Sequence, residues 1–264
     1  MHGAKGKVVL ITGAAGDLGC GMARAFLERG ARLCLSDIDA EKLAARAGEF
    51  SPADAIAVTT GDLADPAAVA KIAAEALAAY GRVDILVNNA AIQAHGDLDS
   101  CSPELFDLAY AVNVRAPYLL ARAVVPSMRA AGGGAIINVS SVHATAPGPE
   151  RLAYATTKTA LLGLTRSLAV DLGRDNIRVN ALSPGATLTS QLRAAWGMID
   201  GGTDVMAHAR LQHPLGRIAD VADIARAVVF LAETDFIHGI DLRVDGGLLS
   251  SLRLLPPSHY GGEE

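Results

Sequence analysis

Short β-branched runs alternate with longer, Ala-rich amphipathic stretches from one end of this 264-residue chain to the other. That alternation predicts βαβ units, and consecutive βαβ units leave little choice but a parallel sheet with helices on both faces. Seven strands are expected: Val8–Thr12, Arg32–Ser36, Ala55–Thr59, Val83–Asn88, Gly134–Val139, Ile177–Leu182 and Ile240–Val244. The helices between them carry their own punctuation. Asp65-Pro66 reads as an N-cap followed by proline at the first helical position, with Gly81 closing that helix. Gly30 and Gly173 are expected to end the first helix and the helix beginning near Leu152. With no internal repeat, low-complexity block or linker, residues 1–264 read as one Rossmann-like α/β domain. The stretch Ala186–Pro214 breaks the rhythm. It is long and Gly-interrupted, and such loops in compact domains are usually lids or binding loops.

Composition narrows the setting. The chain is 51% hydrophobic but only 4% aromatic, as suits an interior of close-packed aliphatic helices and strands. A net charge of −5 offers no basic footprint for nucleic acid, and no apolar run approaches the roughly 20 residues needed to cross a bilayer. The start, MHGAKGKVVLITG, runs straight into a strand without a secretory h-region, so a cytoplasmic location is expected. Cys20, Cys34 and Cys101 are isolated and lack zinc or redox spacing; no metal site is expected.

Two groups of residues point to chemistry. Thr12-Gly13-Ala14-Ala15-Gly16-Asp17-Leu18-Gly19 follows the first strand and opens the first helix, where glycines let backbone approach a pyrophosphate seated on the helix N-terminus. Asp37 follows some 20 residues later, at the end of the second strand, placed to bond the ribose hydroxyls of a dinucleotide. At about 4 Å its carboxylate would oppose the 2′-phosphate of NADP by roughly 1–4 kcal/mol, so NAD is the expected cofactor. The second group is Tyr154 and Lys158, one helical turn apart, thirteen residues after Ser141. A phenol titrating near 10 must have its anion stabilised by about 4 kcal/mol to serve as a base near pH 7. The neighbouring ammonium is the simplest source of that shift.

In order and spacing these motifs resemble the short-chain dehydrogenase/reductase family over nearly the whole chain. Asn88-Asn89-Ala90-Ala91 is similar to the family's Asn-Asn-Ala-Gly element, Asn113 to its helix asparagine, and Val244-Asp245-Gly246-Gly247 to the end of its last strand. The resemblance implies an oxidoreductase that moves hydride between NAD and a small alcohol. In it Tyr154 exchanges the proton, Ser141 bonds the substrate oxygen, Lys158 depresses the tyrosine pKa and binds the nicotinamide ribose, and Asn113 holds a water. It also implies a cofactor-contacting set of Gly13, Asp17, Leu18, Asp37, Asp62, Leu63, Asn89, Tyr154, Lys158, Pro184, Gly185, Thr187 and Thr189.

Asp17 stands where the family has glycine, and Ala91 replaces another glycine. The turn is expected to form because aspartate tolerates left-handed backbone, with its carboxylate weakening pyrophosphate binding. Gln93, His143 and Arg151 predict a polar pocket, with Gln191 and Trp196 brought in by the lid. Ser140-Ser141-Val142-His143 and Pro147-Gly148-Pro149 resemble aldose dehydrogenases of the family and favour a sugar or polyol. Gln93, His143 and Arg151 equally resemble its 3-hydroxybutyrate dehydrogenases, with Arg151 as carboxylate anchor. A non-catalytic dinucleotide binder is the alternative of another class. Surplus apolar residues on Glu104–Arg129 and Leu152–Gly173 predict a homotetramer, with Leu161, Leu162, Leu164 and Leu168 crowding the second helix.

Overall fold

The computed structural model describes residues 3–197 and 202–251, with the backbone alone at residues 195–197 and 202–204. All seven expected strands are present: β1 Val8–Thr12, β2 Arg32–Asp37, β3 Ile56–Thr60, β4 Ile85–Asn88, β5 Gly134–Val139, β6 Ile177–Pro184 and β7 Asp241–Val244. They form one parallel sheet in the order β3-β2-β1-β4-β5-β6-β7. The order reverses between β1 and β4, which opens a crevice beyond their carboxyl ends, where sheets of this kind bind ligands.

Strand periodicity divides the core. On β1, Val9 and Ile11 face helix α1 (Asp17–Leu27), α2 (Ala40–Gly48) and α9 (Val221–Glu233). Val8 and Leu10 face α3 (Pro66–Tyr80) and the α5 and α6 helices, Ala116–Ala130 and Leu152–Leu172. Both faces of every central strand are therefore apolar, and the polar groups gather at the strand ends.

Three local expectations change. The single helix expected at Glu104–Arg129 is α4 (Pro103–Tyr110), a π turn at Ala111–Arg115, and α5. Gly173 is right-handed (φ −59°), and the left-handed reversal falls to Asn176 (φ 55°), whose side-chain amide bonds the Gly132 carbonyl. Ala186–Pro214 is no structureless loop: it contains α7 (Ser190–Gly197) and α8 (Gly202–Gln212). Its sequence between the glycines is rich in Ala, Leu, Arg and Gln, all good helix formers. The expected Asp65 cap holds, accepting from the Ala67 amide, and Gly81 closes α3 at φ 75°.

Candidate active site

The phosphate turn is locked to the end of β4. Asn89 Nδ2 donates to the Thr12 and Gly13 carbonyls at 2.9 and 3.2 Å, and the Asn89 and Ala90 amides both donate to Thr12 Oγ1 at 3.1 Å. Gly13 sits at φ 65°, and a Cβ there would lie 2.9 Å from Ala90 Cα, so only glycine fits. The N-terminus of α1 has no side-chain cap, which leaves amides of its first turn, Leu18 among them, open toward the crevice. Asp37 Oδ2 accepts the Ala15 amide at 2.9 Å, placing an acid within reach of the same turn. Asp62, at the end of β3, accepts from the Ala64 amide, and Leu63 packs into the core beside it. An uncapped helix N-terminus with a carboxylate at the neighbouring strand end fits a dinucleotide.

Asp17 corrects the expectation made for it. It is the first right-handed residue of α1, after Gly16 as N-cap, and needs no left-handed backbone. Its carboxylate takes Arg46 Nη2 at 3.1 Å and the Ser190 amide rather than lying free in the crevice.

The second half of the site is held by main-chain carbonyls and buried side chains. Tyr154 lies in the first turn of α6, and Lys158 follows one turn later, its Nζ 5.7 Å from the tyrosine ring centre. Lys158 Nζ donates to the Val139 carbonyl at 2.7 Å, and Ser140 Oγ donates to the Lys158 carbonyl at 3.0 Å. Both bonds pin α6 to the end of β5. Ser141 Oγ accepts the His143 amide at 3.2 Å. Burial pushes the Tyr154 phenol upward, and the neighbouring Ser141 side chain and the Arg151 charge only partly offset it. Burial also brings the Lys158 amine down to about 7. The expectation that Lys158 depresses the tyrosine pKa therefore does not hold for the protein alone. Both groups are desolvated together, so neither favours its charged form.

Asn113 is fully engaged. Its Oδ1 accepts the Ile92 amide at 2.8 Å, and Nδ2 donates to the Ile92 carbonyl and to Thr157 Oγ1, each at 3.0 Å. Thr157 Oγ1 donates in turn to the Tyr154 carbonyl at 2.8 Å. With both amide hydrogens committed, this side chain staples the loop after β4 to α6. The π turn that carries Asn113 interrupts the helix at this point, as π turns often do at functional sites.

Around Tyr154 the structure gathers part of the expected pocket. The His143 ring meets the tyrosine edge-on at 6.0 Å, and its Nδ1 accepts the Gly148 amide at 3.1 Å. That bond assigns the ring proton to Nε2, while burial, then Arg151, hold the imidazole below its usual pKa. Arg151 Nη1 lies 2.9 Å from His95 Nε2, a partner that sequence reasoning missed. Glu150, left-handed at φ 55°, turns the chain so that Arg151 forms a bridge with Gly96. Gln93 is exposed. Pro184 ends β6, and Gly185 donates to the Val244 carbonyl at 3.0 Å. Thr187 bonds the Gly185 carbonyl, and Thr189 Oγ1 accepts the Leu192 amide as a cap for α7. Gln191 is exposed on α7; the Trp196 side chain lies outside the described part of the structure.

Asn138 was also missed. It accepts from Asn88 at 2.8 Å and donates to Thr165 at 2.9 Å, a fully buried polar rung beneath the site joining β4, β5 and α6. The signal was present as a lone asparagine inside an apolar strand, a position that demands a partner.

A dinucleotide cradle and a tyrosine–lysine pair, side by side at the carboxyl edge of a doubly wound sheet, define the class: nucleotide-dependent oxidoreductases. Comparison with known proteins makes the assignment more particular. Residues 13–249 match the family described as Enoyl-(Acyl carrier protein) reductase. The D-threitol dehydrogenase of Mycolicibacterium smegmatis is 37% identical over 92% of this chain and 92% of its own. The 2-(R)-hydroxypropyl-CoM dehydrogenase of Xanthobacter autotrophicus is also 37% identical, over 91% of this chain and 97% of its own. The L-sorbose reductase of Gluconobacter frateurii, solved with NADPH and L-sorbose, superposes with a TM-score of 0.89 at 31% identity, covering 95% of this chain and 99% of that one. This chain belongs to the short-chain dehydrogenase/reductase family, oxidoreductases that act on alcohols. Among the described residues no helix is long and apolar enough to cross a membrane.

Proposed function

We propose that this enzyme uses NAD to interconvert a small polyol or sugar and its carbonyl form. One observation carries the reading: the Tyr154 ring has the Lys158 amine 5.7 Å from its centre, His143 at its edge and Ser141 as a polar neighbour. NAD when bound supplies the hydride acceptor. In the oxidative direction Ser141 Oγ would hold the substrate oxygen and Tyr154, as the phenolate, would take its proton and become the neutral phenol. The protonated Lys158 amine beside the ring would stabilise that phenolate before the transfer. The His143 Nε2 proton is placed for a second hydroxyl, as a polyol requires. Asn113 and Thr157 keep the first turn of α6, and so Tyr154, in register with the loop after β4. Asp37 supports NAD over NADP, although the sorbose reductase was solved with NADPH. The D-threitol and L-sorbose names of the relatives support the substrate class.

Turnover with NAD and with NADP across polyols, sugars and hydroxy acids tests the reading. A four- to six-carbon polyol with NAD should give the highest kcat/KM. Activity confined to hydroxy acids would overturn the substrate class, and a preference for NADP would overturn the cofactor.

One observation favours a second reading, a 3-hydroxy acid. Arg151 at the mouth of the site contacts a histidine and, among the described residues, forms no ion pair with an acid, so a substrate carboxylate could take its free donors. A catalytically idle dinucleotide binder has no such observation in its favour. We also propose a homotetramer. Leu161 and Leu162 are buried within the chain and so do not supply the surface, but Leu108, Tyr110 and Tyr118 on α4 and α5 and Val170 on α6 remain exposed. Phe230, Phe236 and Ile240 are likewise exposed.

A further inference from the structure

Two helix N-termini meet at the carboxylate of Asp17. The residue begins α1, and one of its oxygens accepts the amide of Ser190, the first residue of α7, 173 positions away. The other oxygen takes Arg46 Nη2 of α2 at 3.1 Å. Thr189 Oγ1 already satisfies the Leu192 amide, so Asp17 supplies from outside the acceptor that the start of α7 otherwise lacks. The Ser190 contacts and the Arg46 charge hold the carboxyl below its usual range.

An Asp17–Arg46 ion pair alone would be an ordinary surface pair of small consequence. The Ser190 bond differs because of where it lands. Among described residues 190–194 no other hydrogen bond leaves the Ala186–Pro214 segment. Arg46 also matters, since its charge cancels that of Asp17 beside the turn where a pyrophosphate would lie.

We propose that Asp17 is a positioning residue: it pins the first turn of α7 to the phosphate turn and thereby sets where α7 lies beside the crevice that takes the alcohol. Loss of the carboxylate frees α7 without disturbing the sheet. Loss of Arg46 leaves the latch formed but uncompensated, and weakens dinucleotide binding.

The test uses the full chain and the variants Asp17→Ala, Asp17→Asn and Arg46→Gln. In limited proteolysis without any ligand, Asp17→Ala should be cut within residues 190–212 about tenfold faster than wild type, the effect of losing one charge-assisted bond. Its cooperative unfolding midpoint should stay unchanged. Asp17→Asn keeps an acceptor oxygen and should recover most of the protection, which also guards against a folding failure of the alanine variant. For turnover, Asp17→Ala should raise KM for the alcohol severalfold with little loss of kcat, while Arg46→Gln should raise KM for NAD. Cleavage of Asp17→Ala within twofold of wild type would overturn the latch. The proteolysis needs neither cofactor nor substrate, so it fails or succeeds independently of the proposed polyol reaction on which the KM readout rests.

Discussion

On one side of the cleft, Tyr154 and Lys158 are tied through the Val139 carbonyl of β5 and the Ser140 hydroxyl and through Asn113 and Thr157 to the loop after β4, whereas on the other side α7 and α8 contact each other and lie outside the sheet's two main cores. The first side is part of the buried core, and moving it would strip partners from buried polar groups at about 1–3 kcal/mol each. The second side is joined at its ends, by the Thr187–Ala219 bridge and by Leu215 to the Gly246 carbonyl, and near its start by Asp17. Proton transfer demands fixed geometry and the admission of substrate demands movement. We propose that this chain assigns the two demands to different segments.

Lys158→Met should break the fixed side most severely. Losing both the cation and a cofactor contact, it should lower kcat/KM by about 10⁴-fold, to be measured in steady-state turnover. The same variant reveals how the lysine is held. Its folded pKa of about 7 lies below the unfolded value near 10.5, so between those values the unfolded chain binds more protons. The lysine's penalty is thus complete below pH 7 and relieved as pH rises toward 10.5. Urea unfolding of the wild type should show stability rising across that window, and Lys158→Met should flatten that rise.

Asp37→Ser combined with Ile38→Arg comes next. Ile38 is exposed beside Asp37, so the change removes a like charge and adds a partner for the 2′-phosphate. The ratio of NAD to NADP kcat/KM should move toward NADP by about 100-fold. A smaller effect is expected from Arg151→Gln. It should raise KM for a polyol by no more than about threefold, but for a hydroxy acid, if one is turned over, by about tenfold or more. That split decides between the two substrate readings. Trp196, in the proposed lid, is the only tryptophan of the sequence, and its emission should shift when NAD and substrate bind together. An unchanged spectrum at saturation would contradict closure of Ala186–Pro214.

The strands were legible because most are short aliphatic runs bounded by turn residues, and β1 and β5 match residue for residue. The tyrosine–lysine pair and the phosphate turn were legible because each is local, set by a spacing of a few residues. What was hidden depends on contacts between distant segments. No local pattern shows that Asp17 meets Ser190, that Arg151 meets His95, or that Asn113 spends its amide hydrogens on Ile92 and Thr157. The π turn was hidden for the same reason, since its sequence AVNVR carries no signal distinguishing it from an α-helix. Spacing reports the lysine's proximity to Tyr154 but not the burial that raises the phenol and lowers the amine in the protein alone.

The central claim is that the substrate proton passes through the Tyr154 phenol while the dinucleotide is held by other groups. The most direct test measures Tyr154→Phe in one preparation, following NAD binding by titration and alcohol oxidation by nicotinamide absorbance. The account predicts kcat lower by about 10³-fold or more, with the NAD dissociation constant within about twofold of wild type. A variant that keeps a tenth of the wild-type rate would contradict it.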